Sequence, residues 1–269
     1  MITTPLYQKK QVGLLKVLQN RKINEDYYVL EVGANQTVDG ILPGQFVEIL
    51  VQDTRNAFLR RPISIYDVHP QRNSLELLIQ IVGEGTRLLS QLKAGDNADL
   101  VYPLGKSFSM LQKGQKALLV GGGVGIAPLL YLAKKLSAKQ VEVHILLGGR
   151  TKQNIIEVSN FQSYGSVYIA TNDGSVGEKA LVTEHSIMQE RDFDLIYTCG
   201  PDAMMRAVAK IAAKHRIECE VSLENMMACG FGACLCCVTP TTEGHKCVCT
   251  DGPVFNTKVL QWEINQTQG

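Results

Sequence analysis

Six of the chain's eight cysteines lie between positions 229 and 249. Cys229, Cys234, Cys236 and Cys237 crowd into the stretch ACGFGACLCCV, and Cys247 and Cys249 follow a short polar loop. At this density thiols are metal ligands or redox groups wherever the compartment disfavours disulfides. Cys229, Cys234 and Cys237 give C-x4-C-x2-C, the spacing of three of the four ligands of a plant-type [2Fe–2S] cluster, whose fourth cysteine arrives from farther along the chain. The loop composition suits such a group: Gly230 and Gly232 let the backbone curl around inorganic sulfide, and Ala233 keeps bulk away. Four thiolates also close around a structural zinc ion, although zinc sites more often draw on two short-range pairs such as C-x2-C.

A second kind of chemistry is written in VGGGVGIAPLL (120–130). A strand there runs into a glycine-rich turn and a helix start, where backbone N–H groups hold a pyrophosphate. The third position of the G-x-G-x-x-G pattern is Pro128 rather than glycine, counting from Gly123 and Gly125. TCGPDAMM (198–205) repeats the arrangement at the end of a later strand, so Gly122, Gly123, Gly125 and Pro128 are expected to face Cys199, Gly200 and Pro201 across one carboxyl edge of a sheet, where ligands bind. The acidic residue of the usual dinucleotide fingerprint is replaced by Arg150 in GGRT, which suits a 2′-phosphate, an adenine ring or a surface ion pair. The choice between NAD and NADP stays open on these residues.

The elements that must position these groups fall into two rhythms. YYVLEV (27–32), QFVEILV (45–51), ISIYDV (63–68) and SLELLIQIV (74–82) are short β-type runs, and their spacing predicts an antiparallel β-barrel with one short helix in TRLLSQL (86–92). From about Lys116, the strands ALLVGG (117–122), VEVHILLGG (141–149), SVYIAT (166–171) and DLIYTCG (194–200) alternate with helical patterns at 127–136 and 201–215, which predicts a parallel sheet flanked by helices. The cysteine-rich tail has little periodicity. A three-part division follows: a barrel domain over 1–113, an α/β nucleotide-binding domain over 114–222 and a cluster subdomain over 223–269.

Composition narrows the partners. Twenty-seven basic and twenty-six acidic side chains give a net charge of +1, which recommends neither nucleic acid nor an anionic membrane. The longest uncharged run, 117–133, is short for a bilayer span and broken by glycines. The N-terminus MITTPLYQKKQVG lacks a secretory core and an arginine-rich transit pattern, so a cytoplasmic location is expected. His69, His144, His185, His215 and His245 show no ligand spacing, and no acid–base pair is nominated.

FLRRPISIYD (58–67), VGEGTRLLSQL (82–92) and the GGGVGIAP turn, in that order, resemble the ferredoxin–NADP reductase superfamily of flavin enzymes. The resemblance implies FAD: Arg61 neutralises its phosphate, Ser64 approaches the reactive ring, Gly85 and Thr86 supply donors, and Pro62, Ile63, Leu78, Ile79 and Gln80 complete the site. MACGFGACLCCV followed by CVCTDGPVF makes the likeness narrower and extends it over essentially the whole chain: the sequence is similar to the electron-transfer subunits of type B dihydroorotate dehydrogenase. That resemblance makes Cys249 the fourth cluster ligand, leaving Cys236 and Cys247 as small apolar fillers. It implies an electron path from dihydroorotate through FMN on a separate catalytic subunit to [2Fe–2S], FAD and NAD⁺ in pyrimidine biosynthesis, in a heterotetramer of two subunits of each kind. Met226, Met227, Phe231, Leu235 and Val238 around the ligands are expected either to meet that partner or to pack within the cluster subdomain. Two other functions remain on sequence grounds, a subunit of another NAD(P)H–ferredoxin-type oxidoreductase and a zinc-pinned nucleotide-binding module.

Overall fold

Apolar side chains pointing inward from successive short strands close the first hundred residues into a barrel, seen in a computed structural model that describes residues 10–52 and 58–262. The strands are β1 (Gln11–Lys22), β2 (Tyr27–Gly33), β3 (Phe46–Ile49), β4 (Arg61–His69), β5 (Ser74–Gln80) and β6 (Asn97–Leu104). Their spatial order is β1-β2-β5-β4-β3-β6, antiparallel throughout, and β6 returns to β1. Closure leaves no unpaired edge. Leu15, Leu30, Val47, Ile49, Leu77 and Leu100 fill the interior. The short helix α1 (Glu84–Leu89) follows β5. The strand β1 escaped the sequence reading because its outer face is apolar too: Val12, Leu14 and Leu18 are exposed, which blurs the period-two alternation.

The second layer is a seven-stranded sheet. It contains β7 (Lys116–Gly122), β8 (Glu142–Gly149), β9 (Ser166–Thr171), β10 (Glu178–Lys179), β11 (Leu195–Cys199) and β12 (Glu218–Ser222), all parallel. After the hairpin β13 (Val238–Thr241) and β14 (Gly244–Cys247), the tail returns as β15 (Val254–Asn256), antiparallel to β12. The order is β10-β9-β8-β7-β11-β12-β15, so the chain winds outward in one direction from β7 and in the other from β11. The β7/β11 boundary is therefore the topological switch point, where an open α/β sheet leaves a crevice at its carboxyl edge. The expected nucleotide turns end these two strands. Through β15, the cysteine-rich segment is also tied into the nucleotide sheet.

The helix α2 (Ala127–Ala138) carries Pro128 in its first turn, where a missing N–H is harmless. It is buried almost all round because it lies between sheet and barrel: Leu129, Leu132 and Leu136 enter the sheet-side core, while the Tyr131 hydroxyl donates to the Ile41 carbonyl at 3.1 Å. The short α3 (Val158–Gln162) follows β8, and α4 (Asp202–His215) covers the opposite face with Met205, Val208, Ala209 and Ala212 along one buried stripe. Charged pairs fasten barrel to sheet: Lys134 lies 2.8 Å from Asp67, and Arg21 lies 2.9 Å from Glu157. Glu31, His69 and Glu76 come close together on the barrel, with Arg72 at 3.1 Å from Glu31 to balance the charge. Among the described residues, no helix is long and apolar enough to cross a membrane. Residues 1–9, on which the reading of the N-terminus rests, lie outside the described residues.

Candidate functional site

Where barrel, sheet and tail meet, a cleft of about 620 Å³ opens. This is within the range of ligand pockets. One wall is the barrel: Arg61, Pro62, Ile63 and Ser64 of β4, Leu78, Ile79 and Gln80 of β5, and Thr86 of α1. The expected flavin residues thus come together, with Gly85 just behind them. A Cβ on Gly85 would stand 3.0 Å from the Arg61 Nε, which places the guanidinium directly against the start of α1. Arg60 and Arg61 divide their labour. Both arginines border the cleft, but Arg60 pairs with Asp99 at 2.9 Å and braces the barrel, whereas among the described residues Arg61 donates to backbone carbonyls alone, with Leu59 at 2.6 Å. The Thr86 hydroxyl is taken up by its own turn, accepting from the N–H groups of Val82 and Gly83 at 3.0 and 3.3 Å. What this turn offers a phosphate is backbone amide and the Arg61 charge. That donor set fits the pyrophosphate of a dinucleotide flavin.

The sheet edge forms the second wall, through Val124 and Ala127. Gly122 ends β7 and Gly123 opens the turn; Gly125 packs on the turn after β11, where a Cβ would sit 2.5 Å from the Cys199 carbonyl oxygen and 2.5 Å from the Gly200 nitrogen. Only glycine permits that approach. The two expected nucleotide turns are therefore in contact, with Pro201 immediately before α4 and Pro128 buried in α2. Cys199 is fully buried and its thiol is pushed well up by burial, so this turn presents backbone rather than sulfur. Arg150 is exposed at the end of β8, and its carbonyl accepts from the Asp173 N–H at 3.2 Å. Hydrogen bonds from Ser175 hold the Asp173 carboxyl below its usual range, so the residue whose backbone meets that of Arg150 carries an exposed carboxylate.

The third wall is the tail. Met226, Met227 and Cys236 line the cleft, and the cysteine loop is folded immediately behind them. Gly230 (φ +72°) and Gly232 (φ +88°) take left-handed conformations that turn the loop inward. Amides then converge on sulfur: the Cys234 N–H points at the Cys229 Sγ at 3.5 Å, the Cys236 N–H at the Cys234 Sγ at 3.5 Å, and the Cys249 N–H at the Cys237 Sγ at 3.4 Å. The Cys229 and Cys234 thiols are neighbours, and so are those of Cys237 and Cys249. Burial opposes ionisation of Cys229, but N–H groups of Phe231, Cys234 and Ala233 outweigh it and bring the thiol down to about 6. Thiols gathered under convergent amide donors fit an iron–sulfur centre, whose sulfurs are stabilised by such bonds. The Cys237 thiol also meets Cys247, which stands opposite Val238 in the β13–β14 hairpin.

Several residues of this junction were not picked out from the sequence. Ser222, Glu224 and Asn225 line the cleft where β12 ends, and desolvation raises the Glu224 carboxyl. Their only signal was position, between the last parallel strand and the first cluster cysteine. Glu48 of β3 lies beneath the cysteine loop, fully buried. Of the apolar residues around the cluster, Met226 (82%), Phe231 (55%) and Leu235 (63%) are exposed, while Met227 packs in a core with Phe46, Leu104, Val248 and Phe255.

The match to known proteins follows the same three-part layout. The family model for the iron–sulfur cluster binding domain of dihydroorotate dehydrogenase B matches residues 224–261, an oxidoreductase NAD-binding domain matches 119–210, and an oxidoreductase FAD-binding domain matches 14–108. The dihydroorotate dehydrogenase B (NAD(+)) electron transfer subunit of Caldanaerobacter subterraneus subsp. tengcongensis is 42% identical over 246 residues, 89% of this chain and 94% of the relative. The subunit of the same name from Bacillus pumilus is 38% identical over 248 residues, 90% of this chain and 95% of the relative. Among solved structures, that of an NADH-dependent reduced ferredoxin-NADP oxidoreductase superposes with a TM-score of 0.83 at 32% identity, covering 93% of this chain and 91% of that one. The iron–sulfur family match removes the support for a zinc-pinned module. With FAD-binding, NAD-binding and iron–sulfur domains in one oxidoreductase fold, the chain belongs to the family of dihydroorotate dehydrogenase B electron transfer subunits.

Proposed function

We propose that the chain moves electrons from a [2Fe–2S] cluster on Cys229, Cys234, Cys237 and Cys249 to FAD in the cleft and then to NAD⁺ at the glycine-rich edge. The electrons come from dihydroorotate, oxidised on a separate FMN-containing catalytic subunit, in cytoplasmic pyrimidine biosynthesis, within a heterotetramer of two subunits of each kind. The observation that carries this function is the shared cleft: the cluster loop supplies one wall, the phosphate arginine a second and the nucleotide turn a third. FAD exchanges electrons singly or as a hydride and so joins a one-electron carrier to a two-electron acceptor. The chain's own residues bind and orient. Arg61 and the start of α1 anchor phosphate, Ser64 borders the ring, and the touching turns at Gly125 and Gly200 bring the nicotinamide end to the cleft. Expression of a tagged copy in the source cell tests the partner: co-elution of an FMN-containing dihydroorotate dehydrogenase in near-equal amount supports it. The 32% likeness to the NADH-dependent reduced ferredoxin-NADP oxidoreductase favours a second function, service to a ferredoxin-type donor, and co-elution of such a partner instead would select it.

Arg61→Ala is expected to weaken FAD binding by roughly 1.5–3 kcal/mol, on the order of ten- to a hundredfold in Kd, through loss of a charge-assisted phosphate contact. Equilibrium flavin binding measures this, and unchanged affinity removes Arg61 from the site. NADH is expected to reduce the flavin at least tenfold more efficiently than NADPH, a difference of about 1.4 kcal/mol. The exposed carboxylate of Asp173, whose backbone meets that of Arg150, supports that preference because negative charge on this turn repels a 2′-phosphate. A tenfold preference for NADPH in steady-state flavin reduction would mean that Arg150 reads the phosphate.

A further inference from the structure

Glu48 is the anomaly in the layer between barrel and cluster loop. The side chain is 0% exposed, and neither carboxylate oxygen has a hydrogen-bond partner among the described residues. Strand alternation puts it there: Val47 and Ile49 of β3 point into the barrel, while Phe46 and Glu48 point outward beneath the tail. A Cβ on Gly230, the residue after Cys229, would meet the Glu48 Cγ at 2.8 Å and its Oε1 at 3.5 Å. Among the described residues no cation is hydrogen-bonded to the carboxylate. Arg60 is paired with Asp99 of β6 and reaches only the Glu48 backbone carbonyl, at 3.4 Å, and Arg61 lies against Gly85 at the cleft. An unpartnered carboxylate in such a layer costs several kcal/mol. Packing does not require it, since Phe46 fills the same layer with apolar atoms. In low dielectric a charge acts strongly on its neighbours, and the neighbour here is the loop that carries Cys229.

We propose that Glu48 is a tuning residue for the iron–sulfur centre, its carboxylate disfavouring the added electron and so keeping the cluster's reduction potential low. The inference rests on the assignment of Cys229 as a ligand. No bond forms or breaks: one electron enters the cluster and the same electron leaves it, and Glu48 changes only the free energy of the reduced state. Net charge near a cluster is an established lever on its potential. Burial pushes the Glu48 carboxyl up to about 7, with Arg60 and Arg61 working against that rise and Cys229 adding to it. Its charge is therefore examined at about pH 8.5.

EPR-monitored redox titration of the cluster tests the proposal in wild type, Glu48→Gln and Glu48→Asp, with iron and sulfide content and EPR line shape as controls for an intact site. Glu48→Gln should raise the midpoint so that the reduced-to-oxidised ratio at fixed poise rises about tenfold, 59 mV for a one-electron couple. Glu48→Asp, which keeps the charge, should stay within about threefold of wild type. If Glu48→Gln assembles no cluster, Glu48→Met neutralises the position with an apolar chain and must shift the midpoint the same way. A neutral variant with full cluster content and an unmoved midpoint overturns the proposal. Wild-type protein that holds no [2Fe–2S] cluster, or a Cys229→Ser variant that retains it, would instead sink the ligand assignment beneath it.

Discussion

Serine at Cys229, Cys234, Cys237 or Cys249 is expected to abolish the [2Fe–2S] cluster, whereas serine at Cys236 or Cys247 leaves iron and sulfide at the wild-type level. The ligand must be a thiolate, and a hydroxyl ionises too weakly to replace it. Within the loop the Cys234 N–H points at the Cys229 sulfur and the Cys236 N–H at the Cys234 sulfur, while the Cys237 sulfur receives the Cys249 N–H from beyond the hairpin. The fourth is the sharper test, because the Cys237 thiol meets both Cys247 and Cys249. Cys249 is 1% exposed and its own N–H points at the Cys237 sulfur, while Cys247 is carried on the hairpin with its N–H held by Asp251 at 2.9 Å. Metal and sulfide analysis of the six variants, with flavin content as the control for folding, decides the set. If Cys247→Ser empties the site and Cys249→Ser does not, the fourth ligand is Cys247.

What sequence could show here was whatever local chemistry dictates. The barrel strands with polar outer faces, the glycine turn after β7 and the amphipathic stripe of α4 each follow from residues a few positions apart. So does the curl of the cysteine loop, because Gly230 and Gly232 are the residues that adopt positive φ at least cost. What depended on distant pairings was hidden. The strand β15 joins the nucleotide sheet through register with β12, across more than thirty residues, and nothing local in VFN announces it. Glu48 and Glu224 read as ordinary surface carboxylates of a strand and a strand end; burial under the tail and in the cleft comes from segments far away in the chain. Arg60 and Arg61 are chemically alike in sequence, and only the Asp99 pairing separates the brace from the candidate for phosphate binding.

Alone, the chain is expected to reduce artificial dyes with NADH yet to show no NAD-dependent oxidation of dihydroorotate; addition of the FMN catalytic subunit should switch that reaction on. The described residues are occupied by a six-stranded barrel, a doubly wound sheet and a small hairpin, none of which builds the (β/α)₈ barrel of roughly 250 residues that would house such a catalytic site. The contact with the proposed catalytic subunit is expected near the cysteine loop, since an electron carrier works only close to its donor. The surface there is unusual for a protein exposed to water: Met226, Phe231 and Leu235 are all well exposed within ten residues, flanking the exposed Cys234, whereas Met227 is withdrawn into the core beneath. Side chains of this kind anchor interfaces, and removing one central anchor costs about 2–4 kcal/mol of binding. Phe231→Glu and Leu235→Glu should therefore weaken coupling to the catalytic subunit by about thirtyfold or more while NADH-driven dye reduction, flavin and cluster content stay unchanged. Mixing experiments with all cofactors present, read by size-exclusion chromatography and by NADH formation from dihydroorotate, give the answer. Dihydroorotate oxidation by the isolated chain would end the assignment, and so would two subunits that neither associate nor couple.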